Sequence, residues 1–198
     1  MNYAELQTTI ADFLNRNDLN DQIPTFIELA EARIRRDLRD RRQQVRAEAM
    51  VYAEYMTLPC DHVETIRVVV DGKILRLADK FNIERFEILG PVAFYRHYND
   101  QLQFMPAPDP DLGARVVIEY TAEVTKCSAD NPTNWLLEQS PDVYLYGSLI
   151  AAEGYLHDDT RIPLWAQAYS EAVTSLNGAS DMAENSGSAL RLQRHGIS

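Results

Sequence analysis

The chain has 198 residues, 45% of them hydrophobic and 25% charged, which suits a folded domain with a sizeable core and excludes a collagen-like or low-complexity chain. Thirty acidic side chains against nineteen basic ones give a net charge of −11, so the surface as a whole is no nucleic-acid footprint. No apolar run approaches the ~20 residues that cross a bilayer, and the opening Met1–Glu5 has no basic or apolar leader segment, so neither a membrane span nor a secretion signal is expected.

In chain order, Leu6, Ile10, Phe13 and Leu14 recur at helical spacing and predict a first helix with one apolar face. Asn15-Arg16-Asn17-Asp18 breaks it with turn-forming residues. A second helix starts near Asp21 with Pro24 in its first turn, where the missing N–H costs nothing. Ile23, Phe26, Ile27, Ala30, Ile34 and Leu38 form its stripe, and a short link makes an antiparallel helix pair. From Val45 to Tyr55 the period changes to two, with Val45, Ala47, Ala49, Val51, Ala53 and Tyr55 on one side of a half-exposed strand or a bent strand pair. Ile66–Val70 and Lys73–Leu77 flank Asp71-Gly72, a dipeptide suited to a type I′ hairpin turn. Asp79 caps a short helix through Phe86, and Val92–His97 with Leu102–Met105 makes a second hairpin around Asn99-Asp100. Pro106, Pro108 and Pro110 mark a loop. Ala114–Val124 is the longest strand signal, with Val116, Ile118, Tyr120 and Ala122 on one face.

Ser140-Pro141-Asp142 opens a helix whose stripe is Leu145, Leu149, Ala152 and Leu156. After His157-Asp158-Asp159 a last helix begins near Pro163, with Trp165, Tyr169, Ala172, Val173 and Leu176 at helical spacing. Ile27, Ile34, Leu145, Leu149 and Trp165 are expected to share one core. Residues 177–189 are almost all small or polar and read as a linker or frayed helix that stays out of that core. The fold class is therefore α+β: an antiparallel helical bundle built from N- and C-terminal helix pairs, a small antiparallel β-rich insert, and an extended C-terminal tail. The boundaries are one domain over 1–180, with helices in 1–42 and 135–178 and the insert at 43–128, then a docking tail at 181–198.

Catalytic chemistry is hard to find. Phosphate-binding, dinucleotide, zinc-protease and serine-hydrolase signatures are all missing, and Ser140 and Ser148 have no base placed by sequence. Cys60 and His62 cannot fill a four-ligand zinc site, and the two cysteines, Cys60 and Cys127, fit inert thiols in a reducing compartment. His157, Asp158 and Asp159 are competent metal donors, which leaves an unrecognised hydrolase as a rival class. A helix end followed by a helix start explains them more simply. No catalytic residue, metal or cofactor is expected.

One local feature is sharp. Arg33, Arg35, Arg36, Arg39, Arg41, Arg42 and Arg46 fall within fourteen residues; against Asp37 and Asp40 they give that stretch +5 and leave −16 for the rest of the chain. Three explanations stand: a solvated helix end, phosphate contact, or a subunit interface in which the basic strip meets acidic surface on a neighbour. The charge asymmetry favours the interface over the phosphate, because the remainder of the molecule repels DNA. The alternative function is a nucleic-acid-binding regulator using an Arg-rich helix 33–46. At the end of the chain, Leu190, Arg191, Leu192 and Arg194 follow the polar stretch and suit a tethered docking segment.

The chain resembles the head-to-tail adaptor (connector) proteins of tailed double-stranded DNA bacteriophages. Four stretches carry the likeness: Tyr3–Ile27, Leu29–Arg39, Asp130-Asn131-Pro132-Thr133-Asn134-Trp135-Leu136-Leu137 with Pro141–Gly147 downstream, and Ser186-Gly187-Ser188-Ala189-Leu190-Arg191-Leu192. The resemblance implies a non-enzymatic virion protein at the head–tail interface, assembled in the host cytoplasm. It implies a homo-oligomeric ring, typically dodecameric, beneath the portal protein. Such a ring extends the channel through which viral DNA passes without sequence-specific binding, and it carries the tail nozzle, tail tube or stopper protein. It implies portal docking through the tail residues Ser188, Leu190, Arg191, Leu192 and Arg194. A ring needs two complementary surfaces on each subunit, for which Arg33, Arg35, Arg36, Arg39, Arg41 and Arg42 are the interface candidates.

Overall fold

A computed structural model describes residues 1–16, 18–78, 91–156 and 160–185. The expected short helix at 79–86, the His157-Asp158-Asp159 group and the tail residues Ser188, Leu190, Arg191, Leu192 and Arg194 lie outside the described residues. The fold is α+β and divides into two compact units. One comprises Met1–Arg41 and Val124–Ser198; the other, Arg42–Glu123, is inserted between them.

The first unit is helical. Helix α1 (Tyr3–Leu14) starts in a capping box, with the Asn2 side chain accepting from Glu5 N and Glu5 bonding back to Asn2 N. It ends at Asn15, whose left-handed φ of 52° stops the helix as the turn residues predict. Its buried face is Leu6, Ile10, Ala11 and Leu14. Phe13, expected on that face, is instead 45% exposed, and Ala11 is buried in its place. Helix α2 (Ile23–Asp37) carries its proline in the first turn and buries every apolar residue of the expected stripe, Leu38 at its end included. Helix α3 (Trp135–Gln139) is one short turn before α4 (Pro141–Leu156), and α5 (Ile162–Asn185) closes the series. Helix α4 touches α1, α2, α3 and α5, so it is buried nearly all round rather than along one stripe. Ile27, Ile34, Leu145 and Leu149 share this core with Trp165 packed against it, as their spacing indicates.

The stretch expected as a linker or frayed helix outside the core is helical as far as Asn185, where α5 ends, and it is not wholly outside the packed unit, since Ser180 is only 4% exposed; residues 186–189 lie outside the described residues. Small polar composition misled here. Asn177 and Ser180 are used as hydrogen-bonding wedges, which composition does not distinguish from loop residues.

The second unit holds two four-stranded sheets enclosing one core. The first has the order β1 (Gln44–Val51), β8 (Ala114–Ala122), β3 (His62–Val70), β4 (Lys73–Ile74) and is antiparallel throughout. The second has the order β2 (Tyr55–Thr57), β7 (Gln101–Met105), β6 (Phe94–Tyr98), β5 (Arg76–Leu77), with only the β5–β6 pair parallel. Val116, Ile118, Tyr120 and Ala122 of β8 face this core with Val68, Leu102 and Phe104, which matches the period-two expectation. Both predicted hairpins form, and Asp71 (φ 47°), Gly72 (φ 81°) and Asn99 (φ 52°) supply the positive φ their turns require. The stretch from Val45 to Tyr55 becomes two strands in different sheets, and β1 lies at an edge with Val45 and Ala49 exposed. Lys73–Leu77 likewise breaks at the buried Leu75 and feeds both sheets.

Candidate functional site

The arginine stretch is not one helix. Helix α2 stops at Asp37, Leu38 turns extended (ψ 129°), Arg41–Gln43 make a 3₁₀ turn, and Arg46 is already on β1. The break has a local cause. Nη1 of Arg39 donates to the carbonyls of Arg35 (3.1 Å) and Leu38 (2.7 Å), satisfying acceptors that a helix terminus leaves open. The chain beyond is then held by α5: Asn177 Oδ1 accepts from Arg39 N at 2.9 Å, Asn177 Nδ2 donates to Asp37 O at 3.1 Å, and Ser180 Oγ accepts from Arg41 N at 2.7 Å.

Arg39 and Arg33, both interface candidates, are used inside their own unit. Arg39 caps α2, and the half-buried Arg33 guanidinium lies over the Tyr169 ring at 5.8 Å. Burial raises the Tyr169 pKa, helped by Asp37, whose Oδ2 accepts from the hydroxyl at 3.2 Å. Arg35, Arg36, Arg41 and Arg42 are exposed, Arg42 in the inserted unit. The structure therefore brings Arg33, Arg35, Arg36, Arg39 and Arg41 together at the α2 end beside α5, on a backbone fixed from two sides.

A second constellation sits under the stretch most characteristic of the sequence. Asn131 Nδ2 donates to Lys126 O at 2.7 Å, and Pro132 O receives Tyr3 N at 2.7 Å. Thr133 Oγ1 donates to Glu138 at 3.0 Å. Asn134 is the N-cap of α3 and a buried hub. Its Oδ1 accepts from Leu137 N at 2.8 Å, and its Nδ2 donates to Thr125 O (2.6 Å), the Tyr144 hydroxyl (2.8 Å) and Cys127 Sγ (3.2 Å). Tyr144 OH points on to Glu31 Oε1 at 3.5 Å, and the same oxygen accepts Cys127 N at 2.8 Å. The 124–134 segment is thus tied to α2 and α4 through buried polar contacts. Burial drives the Tyr144 pKa far up and raises that of the Cys127 thiol, so Cys127 stays protonated and inert near neutral pH.

A third buried polar group joins the helices. Glu153, 1% exposed on α4, pairs with Arg161 Nε at 3.2 Å and receives Trp165 Nε1 at 3.5 Å. Periodicity missed both acids, although the signal was there. Glu31 stands four residues after Ile27 and Glu153 four after Leu149, so each places a charge on an apolar stripe.

Cys60 is exposed and Cys127 buried, both reduced. Among the described residues no group of three or more His, Cys, Asp or Glu is arranged to hold a metal ion, and no helix is long and apolar enough to cross a membrane. Ser148 is fully buried on α4. The family model described as SU10 adaptor protein matches residues 1–193, which takes in both helical segments, the insert and most of the tail. No curated protein matches the chain.

Proposed function

This chain belongs to the SU10 adaptor protein family of phage head-to-tail adaptors, and from that premise we propose that it forms a ring beneath the portal, extends the DNA channel and carries the tail. The family makes it a structural virion protein associated with other head and tail proteins. The finer assignments are ours: a dodecamer, a portal gripped by Ser188, Leu190, Arg191, Leu192 and Arg194, and a nozzle, tube or stopper seated on the ring.

The observation that carries the ring is the pinned arginine segment. Asn177 and Ser180 fix the backbone from Asp37 to Arg41, beside which the side chains of Arg36 and Arg41 are exposed. A preorganised basic edge on a chain of net charge −11 suits a heterologous contact, basic edge to acidic neighbour, repeated around a ring. The competing regulator loses its geometry, because groove reading by a continuous 33–46 helix requires helix where the chain is extended and then strand.

Native mass measurement of the purified chain, alone and mixed with the portal, tests the proposal. A closed oligomer that binds portal is expected. Arg35→Glu combined with Arg36→Glu and Arg41→Glu should shift it to smaller species. Deleting residues 186–198 should leave the fold intact and greatly weaken attachment to portal. A truncated chain that attaches with unchanged affinity removes the tail assignment. A triple variant that assembles normally removes the arginine interface.

A further inference from the structure

Among the described residues, strand β1 stands at the end of its sheet with no strand paired beyond it. Its sequence, Gln44-Val45-Arg46-Ala47-Glu48-Ala49-Met50-Val51, has no proline, glycine or lysine, and its register with β8 is unbroken over eight residues. Six of the eight are exposed, with Val45 at 38% and Met50 at 51%. An edge this long and regular is a ready template for another strand, and natural edges are usually blunted by a bulge, a proline or a lysine.

The outer face of the sheet indicates which strand fits. Arg67 on β3, Glu119 on β8 and Arg46 on β1 stand directly opposite one another across three strands. Glu119 gives both oxygens to Arg67, at 3.0 and 2.5 Å. Arg46 therefore ends a row of alternating charge across the described strands of this sheet. One turn of the pleat along β1, Glu48 is held by Arg115 of β8, at 2.5 and 2.9 Å.

We propose that two copies of this chain pair β1 to β1, antiparallel about a two-fold axis at Ala47, to form one continuous sheet. Side chains keep their faces only if odd-numbered residues meet odd-numbered ones. The axis at Ala47 then sets Arg46 opposite Glu48 of the second copy, twice, and Val45 opposite Ala49. An axis at Arg46 or at Glu48 brings like charges directly together, which is destabilising. In the Ala47 register the row reads Arg67, Glu119, Arg46, then Glu48 of the second copy backed by its own Arg115. The contact is isologous and closes on itself, so it does not propagate into a ring. It goes beyond the adaptor role and describes the free chain before incorporation.

The test uses the full chain carrying Cys60→Ser, which removes the exposed thiol. Directly paired residues in a sheet have Cα atoms about 4.5–5.5 Å apart, within disulfide range, so Ala47→Cys should cross-link into a covalent dimer under mild oxidation. Val45→Cys, offset from its own copy, should not. In sedimentation, Arg46→Glu and Glu48→Arg should each weaken the dimer by on the order of tenfold or more, and the double charge swap should restore it. A wild-type chain that is monomeric at every concentration overturns the proposal, as does Val45→Cys cross-linking as readily as Ala47→Cys. A free chain, before ring assembly, in which position 47 does not cross-link also overturns it, while leaving the adaptor role standing.

Discussion

Replacing Asn134 by alanine should destabilise the helical unit by about 3 kcal/mol. The figure is built from three losses. Removing Oδ1 strips the α3 N-cap, worth about 1 kcal/mol, because Leu137 N at 2.8 Å loses its acceptor. Removing Nδ2 takes a bond from the Tyr144 hydroxyl, whose residue is only 1% exposed; that costs about 1–2 kcal/mol. The Thr125 carbonyl loses its 2.6 Å donor but is only part-buried, so it adds about 0.5 kcal/mol. Asn134→Ser retains a capping oxygen and should recover about 1 kcal/mol of the loss. Urea unfolding followed by tryptophan fluorescence measures this directly. Trp135 and Trp165 are the only tryptophans and both lie in the helical unit, so the signal reports that unit and not the inserted sheets. A cost below about 1 kcal/mol for Asn134→Ala, or a serine variant no better than alanine, would refute the hub assigned to Asn134.

Gly147→Leu should cost more than about 2 kcal/mol in the same assay. Even a Cβ at Gly147 falls 3.0 Å from Ala30 Cβ and 3.5 Å from the Tyr169 ring, so a larger side chain must push α4 off α2. Stability should also fall as pH rises from about 10 to about 12. Burial and the hydrogen bond to Asp61 push Tyr120 up to about 12, against an ordinary value near 10. In that window the unfolded chain has released a proton that the folded chain still holds, so the equilibrium moves toward unfolding. Absorbance titration of tyrosinate should then show Tyr120, Tyr144 and Tyr169 ionising late, and ten tyrosines titrating together near 10 would contradict it.

The order of elements was legible because periodicity is set by backbone geometry. Leu6, Ile10 and Leu14 repeat as a helix must, and Val116, Ile118, Tyr120 and Ala122 as a strand must. The turn at Asp71-Gly72 was legible for the same local reason, since few residues accept positive φ. The family likeness was legible too, and the match over residues 1–193 supports it. Its most specific stretch, Asn131 to Asn134, turns out to be a set of exposed turn and cap bonds leading into the buried hub at Asn134, which explains why those residue types stand at that spacing.

What sequence could not decide was anything that depends on partners distant along the chain. Asn177 and Ser180 read as linker residues, yet they bond the backbone 138 and 139 positions upstream and carry α5 to Asn185. The seven arginines read as one charged helix. An arginine that folds back on its own helix end, with α5 holding the next residues, breaks them into a helix end, a 3₁₀ turn and an edge strand. Local propensity fixes what a segment is, because each residue's φ and ψ answer first to its neighbours. Which buried donor meets which acceptor, and so which side chains are left to face a partner, is set only when the whole chain closes around its core.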